Sequence, residues 1–465
     1  MDDPAFWHRL QFAFTICYHY LFPQLTMGLA PLLVLWKWRA WRHGDARYAT
    51  AGRFWAVIFG LTFAVGVVTG IPMEFQFGTN WAGFSRYAGG IIGQTLAMEG
   101  MIAFFLESAF VGLLVWGEKR MSPRSHFLAT LAVAVGSWLS GYFILVTNAF
   151  MQHPVGHALG ADGGLVLADV GAYLLNPWAI ILFLHNMTAA VVTGSFVVAA
   201  VGAFYALRGV HLEQARLYLN WGTGVGLLAA LLVAFPTGDQ QAKIVATHQP
   251  AALAAMEGRF QSGPMAQITI IGQPNVAEKH IDNAIEVPGA LSFIATGSFH
   301  GEVRGLDAFP PEEWPTSIEL LYYAFHIMVG LGTLFIALMA VANLQRWRGR
   351  LTTSRPLLWA LLLALPFPYI ATTAGWITAE LGRQPWLVHG LFRTSQGVST
   401  VVSPGNALFS LMGFTGLYFL LGLLYLFLVG RELLHGPGDG GTHVVGAMPA
   451  DGPHEDPPAS GVPHA

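Results

Sequence analysis

The sequence is poor in several chemically informative residue types. Cys17 is the only cysteine among 465 residues, so the chain can form no intrachain disulfide, no iron–sulfur cluster and no cysteine zinc site. Charged residues make up only 11% of the chain, and the net charge of −3 gives no sign of nucleic acid as a partner. Hydrophobic residues make up 54% and the mean hydropathy is +0.52, which excludes an ordinary soluble core.

Long apolar runs predict an all-α polytopic membrane protein. A helix crosses a bilayer core of about 30 Å with about 20 residues, and nine runs in this sequence have a suitable length. No internal repeat is evident. The predicted spans are 12–36, 53–73, 91–116, 127–149, 178–206, 217–237, 318–343, 356–379 and 405–430.

Basic residues predict the orientation of these spans. The loops after the odd-numbered spans, together with the C-terminus, contain 15 of the 23 Lys and Arg residues, so this side is predicted to be cytoplasmic. The loop 150–177 contains neither Lys nor Arg and is predicted to lie outside, as is the N-terminus. The first residues lack a charged segment followed by a small-residue cleavage site, so we expect insertion through the first span without a removable signal peptide.

The chain divides into four predicted regions. Residues 1–237 contain the first six spans, and residues 238–317 form an external loop that is long enough to suggest a function. Residues 318–435 contain the last three spans. Residues 436–465 are rich in Gly, Pro, Ala and His and are predicted to form a disordered cytoplasmic tail.

A histidine and a methionine lie at matching depths in two of the spans. His185 and Met328 each lie roughly 12 to 15 Å below the outer surface, at about 1.5 Å per helical residue. A low-spin haem takes these two side chains as its axial ligands. The pair predicts a redox protein inside a bilayer.

Other ionisable residues in the spans are functional candidates, because each costs roughly 2.5 to 3.5 kcal/mol to insert. His19 in span one is a candidate ligand, with a structural hydrogen bond across helices as the alternative. Glu99 and Glu107 in span three lie on faces about 80° apart and about 12 Å apart in depth. They suggest a proton path, and the alternative is one structural acid and one cavity residue.

Glu380 and Arg383 lie at the outer end of span eight. A carboxylate can ligate a five-coordinate iron, and a guanidinium can bind a haem propionate through two hydrogen bonds. The alternative is an interfacial ion pair beside a tryptophan of the aromatic belt. Arg9, near the outer start of span one, has the same two interpretations.

Depth favours the ligand interpretation. Five candidates come from five different spans, yet the predicted chain direction places all of them in the outer half of the membrane. Scattered structural polar groups would not be expected to share one layer, whereas haem ligands would. The five are His19, Glu99, His185, Met328 and Glu380.

These residues and several local motifs resemble subunit I of cytochrome bd-type quinol oxidases. The resemblance extends over nearly all nine spans, and the combination of motifs is far more specific than any one of them. The motif segments are 9–13 (RLQFA) with His19, 70–81 (GIPMEFQFGTNW), Glu99 with Glu107, 249–250 (QP), 255–258 (AMEG) and 382–386 (GRQPW).

The resemblance implies three haems, quinol as substrate and O₂ as electron acceptor. His185 and Met328 would ligate a low-spin haem b. His19 and Glu380 would ligate two high-spin haems, one b and one d or a third b, and the resemblance leaves open which residue ligates which. Glu99 would lie beside them. The external loop length fits the subclass with a short quinol loop, which includes cyanide-insensitive members.

The resemblance also implies roles for other residues and partners. Glu257 would contact quinol, Arg9 and Arg383 would bind haem propionates, and Trp376 joins the predicted cofactor-binding set. Glu107 would conduct protons, with weaker candidates at Ser108, Ser140 and Asn148. The expected partners are a second membrane subunit and a small single-span subunit, in the bacterial cytoplasmic membrane, with no nucleic acid. Outside release and cytoplasmic uptake of protons would generate a membrane potential without a pump.

Two positions depart from a pattern that many family members carry. Ala252 replaces a lysine five residues before the loop glutamate, and His326 replaces an arginine two residues before the methionine ligand. Two other functions compete with the oxidase. Carboxylates and a histidine inside the spans would also suit a proton-coupled secondary transporter without haem. Ala252 would suit a haem-bearing paralogue that has lost quinol oxidation.

Overall fold

The computed structural model describes residues 4–438 and is built almost entirely from helices. The N-terminal half contains eight α-helices. They are α1 Pro4–His19, α2 Leu21–His43, α3 Ala46–Thr79, α4 Ala82–Met98, α5 Phe105–Trp116, α6 Pro123–Gln152, α7 Val170–Leu174 and α8 Pro177–Arg208. A π-helical segment, Glu99–Phe104, joins α4 to α5.

The C-terminal half adds nine more α-helices and a second π-helical segment. The helices are α9 Leu212–Leu232, α10 Asp239–His248, α11 Pro250–Met256, α12 Ala290–Thr296, α13 Ile318–Trp347, α14 Arg355–Leu363, α15 Phe367–Arg383, α16 Thr394–Gly397 and α17 Pro404–His435. The π-helical segment Val233–Gly238 joins α9 to α10. Pro236 lies in this segment and has no N–H to donate, which favours a widened turn.

Three antiparallel strand pairs lie in the loops. They are β1 His157–Leu159 with β2 Leu165–Leu167, β3 Ile268–Asn275 with β4 His280–Val287, and β5 Trp386–Val388 with β6 Phe392–Arg393. The predicted external loop 238–317 is therefore folded over much of its length. Its apolar residues, including Leu253 and Leu306, pack against Ile318 and Leu321 at the start of α13.

Eight helical segments in residues 4–438 are long and apolar enough to cross a membrane, which confirms the polytopic all-α class. They correspond to eight of the nine predicted spans. The predicted span 12–36 instead falls on α1 and α2, which are separated at Tyr20. Pro23 has no N–H to bond the carbonyl of His19, which explains the interruption. That ninth span stays a prediction.

Helix α8 lies at the centre of the bundle and carries His185. It packs against α2, α6, α9 and α14, and it is the most buried of the eight segments. A Cβ atom at Gly28 of α2 would lie 1.9 Å from the carbonyl oxygen of Ala190 on α8, so only glycine permits this approach. The close packing holds α2 and α8 in a defined register. Residues 439–465 of the predicted tail lie outside the described residues.

Candidate functional site

His19 is the last residue of α1 and is held by a threonine of α3. Its Nδ1 atom lies 3.1 Å from the Thr69 hydroxyl, which itself donates to the carbonyl oxygen of Val65 at 2.9 Å. Because the hydroxyl proton is used on that carbonyl, the imidazole Nδ1 carries a proton and donates it. The Nε2 lone pair then stays available, which is the arrangement that metal-binding histidines adopt.

His185 has the same arrangement on α8. Its Nδ1 atom lies 3.2 Å from the Thr237 hydroxyl, and that hydroxyl donates to the carbonyl oxygen of Leu232 at 3.0 Å. Thr237 belongs to the π-helical segment Val233–Gly238, whose widened turn places the hydroxyl beside α8. Each of these two histidines, predicted as separate iron ligands, thus has its Nδ1 atom held by a threonine hydroxyl. The two threonines were not predicted.

Met328 on α13 faces Gly375 on α15. A Cβ atom at position 375 would lie 2.8 Å from the Met328 sulfur, so the glycine leaves space for the thioether. The π-helical segment that carries Thr237 contacts both α8 and α13, which brings the helices of His185 and Met328 to one region. The donor set of one imidazole and one thioether fits a low-spin haem.

For a haem held by His185 and Met328, we predict that Gly375→Ala shifts the reduction potential and lowers quinol oxidation by about tenfold, the lower end for changes beside a metal ligand. The added methyl group would displace the Met328 sulfur. A redox titration monitored by absorbance would measure the shift. Gly413→Ala in α17 is the matched control, because nothing lies within 4 Å of a Cβ there. Equal potentials in the two variants would refute the role of Gly375.

Glu380 near the end of α15 contacts two side chains. Its carboxylate accepts a hydrogen bond from the Asn148 amide at 2.8 Å and forms an ion pair with Arg383. Arg383 is 1% exposed and also donates to the carbonyl oxygen of Trp386 at 3.1 Å. For Glu380 and Arg383, the sequence allowed either haem binding or an ion pair, and the structure shows the ion pair. The Arg383 Nε atom is buried without a partner in the described part of the chain, so a donor remains for an anionic group.

Helix α6 contacts the three glutamates that are site candidates, Glu99, Glu107 and Glu380. The Ser137 hydroxyl hydrogen-bonds Glu107, and the Ser140 hydroxyl donates to Glu99 at 3.1 Å. Asn148, further along α6, bonds Glu380. Ser140 and Asn148 were predicted as proton-path candidates, whereas Ser137 was missed although it lies one turn before Ser140. This α6 polar stripe, Ser137, Ser140 and Asn148, runs beside the three carboxyls from the predicted cytoplasmic side outward.

Glu99 begins the π-helical segment between α4 and α5. Its second carboxylate oxygen is buried without a hydrogen-bond partner among the residues that the structure describes, and so is the Ser108 hydroxyl. Glu74 of α3 lies close enough to interact electrostatically with Glu99. Buried polar atoms of this kind need water or a ligand. They fit a site where water molecules complete a proton path.

Trp376 connects the His19 region to α15. Its ring lies 6.5 Å from that of Tyr20, the residue at the break between α1 and α2. The Tyr20 hydroxyl donates to Thr373 at 2.8 Å. Trp376 therefore lies beside the residue that follows His19, as a member of a shared cofactor site would. No sequence signal singled out Tyr20.

The motif residues near the outer ends of α1 and α3 bind one another. The Asn80 amide donates to Gln11 at 2.9 Å, and Thr15 donates to Gln76 at 2.9 Å. These four side chains are buried. The motifs therefore have a structural role in fixing α1, the helix that carries both Arg9 and His19, against α3.

Glu257 lies at the C-terminal end of α11 in the external loop and is 7% exposed. One of its carboxylate oxygens and the Tyr322 hydroxyl are buried without a partner within residues 4–438. Burial raises the pKa of Glu257 to about 8, so the carboxyl is mostly protonated at neutral pH and ionises as the pH rises through that value. A neutral carboxyl and a phenol side by side can both bond a quinol oxygen.

Comparison with known proteins identifies the family. The family model described as cytochrome bd terminal oxidase subunit I matches residues 7–437 of the sequence. The chain belongs to this family. It is 36% identical over 449 residues to cytochrome bd ubiquinol oxidase subunit 1 of Bacillus subtilis strain 168, covering 94% of this chain and 95% of that one. It is 33% identical over 495 residues to cytochrome bd-II ubiquinol oxidase subunit 1 of Escherichia coli strain K12, covering 92% and 96%.

The fold also matches a solved bd oxidase structure. The chain superposes on the bd oxidase from Geobacillus thermodenitrificans with a TM-score of 0.86 at 29% identity, over 94% of this chain and 100% of that one. The predicted resemblance is thus confirmed. Family membership and the eight apolar helices in residues 4–438 show that this chain is a multi-pass protein of the bacterial inner membrane.

The structure shows what Ala252 and His326, the two residues that depart from the bd pattern, contact. Ala252 on α11 is 3% exposed, and a Cβ at Gly382 of α15 would lie 3.4 Å from its methyl group. His326 places Nδ1 2.8 Å from the carbonyl oxygen of Tyr322 and Nε2 2.7 Å from that of Thr269. Histidine at 326 therefore ties α13 to strand β3 of the external loop.

Proposed function

We propose that this chain is the haem-bearing subunit of a quinol:O₂ oxidoreductase that oxidises quinol at the outer face of the membrane. The two relatives named above are ubiquinol oxidase subunits. The family match covers residues 7–437, which is nearly the whole chain. The observation that carries the assignment is the paired histidine–threonine arrangement at His19 and His185, which leaves Nε2 of each ring available.

The proposed ligand set is His185 and Met328 for a low-spin haem b, with His19 and Glu380 for two high-spin haems, one b and one d or a third b. Haem, when bound, would accept electrons from quinol and deliver them to O₂. Arg383 would balance the charge of Glu380 and offer its free Nε–H to a propionate. Arg9 and Trp376 complete the proposed cofactor set.

The chain's own residues would bind quinol and move protons. Residues 238–317 form the proposed quinol loop, where Glu257 binds the quinol oxygen. Glu107 and then Glu99, supported by the α6 polar stripe, take protons from the cytoplasm toward the O₂ site, because an apolar interior needs ionisable steps. Proton release outside and uptake inside generate the membrane potential. The proposed partners are a second membrane subunit and a small single-span subunit.

The test is quinol-dependent O₂ uptake by the complete oxidase purified in detergent, together with its dithionite-reduced minus air-oxidised spectrum. We expect absorbance bands from the low-spin haem and from the high-spin haems. We also expect O₂ uptake that stops when quinol is left out. A preparation with haem bands but no quinol oxidation would indicate the inactive paralogue. A colourless preparation that contains the partner subunit would refute the haem assignment.

A further inference from the structure

A small cleft opens between the external loop and the turn that follows α15. Its volume is about 100 Å³, and it lies at the N-terminal end of α11, opposite the end that carries Glu257. The cleft combines apolar walls with polar groups that can bond a quinol hydroxyl. The charged or titratable side chains that line it are Glu313, Arg383 and His389.

His389 lines the cleft and also lies close to residues outside it. It lies in the turn between β5 and β6, where its backbone N–H donates to the carbonyl oxygen of Met151 at 2.9 Å. This bond places it beside the end of α6, which is followed by His153. His389 interacts electrostatically with both His153 and His248.

The rings of His153 and His248 lie in contact, tilted by 35° to each other. Their ring centroids lie 4.0 Å apart, and the indole of Trp178 lies 6.3 Å from His153 at an interplanar angle of 22°. The three histidines come from three separate parts of the chain: the C-cap of α6, the end of α10 and the β5–β6 turn. We call this set the outer histidine cluster.

Within the outer histidine cluster, the last member reaches the surface. His389 lines the cleft and is half-buried, His153 is half-buried, and His248 is exposed at the surface. The cluster therefore connects the cleft to solvent on the side that is predicted to be outside. Within residues 4–438, no three His, Cys, Asp or Glu side chains are placed to hold a metal ion.

Burial and nearby positive charges keep His389 and His153 neutral. Burial, then the positive charge of Arg383 and the two other histidines, lower the pKa of His389 to about 4. Burial and His248 lower the pKa of His153. The other charged groups here are Glu313 across the cleft, Glu380 paired with Arg383, and Lys243 paired with Asp239 on α10. Neutral imidazoles can accept a proton and pass it on.

We propose that the outer histidine cluster carries protons from quinol in the cleft to the outside, with His389 as the first acceptor, His153 next and His248 as the exit. This inference rests on the proposed function. Oxidation of one quinol to quinone breaks two O–H bonds and releases two electrons and two protons. The electrons reduce O₂ through the oxidase, and each proton leaves through the cluster to water.

The test uses His389→Gln and His248→Gln in the complete purified oxidase. We expect His389→Gln to lower quinol-dependent kcat by about 100-fold, the lower range for loss of a general base, and His248→Gln to lower it less. Added imidazole should restore the rate of both variants and leave the wild type unchanged. His43→Gln is the matched control, because His43 is exposed at the end of α2 and lies outside the proposed quinol loop, and it should behave as wild type.

A second electron donor separates a proton defect from a folding defect. Tetramethyl-p-phenylenediamine releases no proton on one-electron oxidation, so O₂ uptake with this donor should be equal in all variants. Equal quinol-dependent rates and no imidazole effect would overturn the relay, while leaving the proposed function intact. A wild type that does not oxidise quinol would refute the proposed function itself.

Discussion

We expect Met328→Leu to remove the low-spin haem band from the reduced-minus-oxidised spectrum and to lower quinol-dependent O₂ uptake by more than about 100-fold. Changes to residues that support a metal ligand already cost about 10- to 100-fold, and this substitution would remove the proposed ligand itself. Leucine has nearly the same volume as methionine, so packing against Gly375 is largely kept. The spectrum and an oxygen electrode would measure the two effects on the same preparation.

The matched control for this prediction is Met339→Leu on the same helix. Met339 is fully buried in an apolar cluster with Phe335 and Leu361, so the exchange there tests packing alone. We expect its spectrum and rate to match the wild type. If Met328→Leu also keeps its low-spin band, Met328 is not the axial ligand.

Glu107→Gln should lower O₂ reduction by about 100-fold while leaving the haem spectrum unchanged. Positioned proton-transfer groups typically contribute about 10² to 10⁴ in rate, and the amide keeps the hydrogen bond to Ser137 but cannot pass a proton. Ser137→Ala should lower the rate less, because it removes only the hydrogen-bond partner of Glu107. Oxygen uptake with saturating quinol, measured in water and in D₂O, would show whether proton transfer has become rate-limiting.

Glu213→Gln provides the control for this second prediction. Its side chain is 70% exposed near the start of α9, and it belongs to no proposed proton path. We expect it to have wild-type rates and isotope effects. A Glu107→Gln variant with a wild-type rate would mean that protons enter by another path, and the haem ligand proposal would be unaffected.

The haem ligand candidates were accessible from the sequence because each is an ionisable or thioether side chain in an apolar helix. Such residues are rare in spans, and their depth follows from their position along a helix of known rise. Their supporting residues were not accessible in this way. Thr69 and Thr237 are ordinary helix residues by sequence, and only the packing of α1 on α3 and of α8 on the second π-helical segment brings them to His19 and His185.

The outer histidine cluster shows the same limit. His153, His248 and His389 are distant in sequence and lie at element ends, where neither helical periodicity nor hydropathy predicts a neighbour. The continuation of the helix through the second π-helical segment to His248 was also missed. Polar residues in α10 lower the hydropathy there, so the apolar run ends before the helix does.

Sequence alone determined the membrane class, the approximate position of most helices and the identity of the candidate ligands, because hydropathy and side-chain chemistry are local properties. Tertiary structure decided the contacts of the α6 polar stripe with the three carboxyls and the outer histidine cluster. These features depend on side chains from different helices and loops coming into contact. Such contacts follow from close helix packing, as where Gly28 of α2 meets α8, which no single segment encodes.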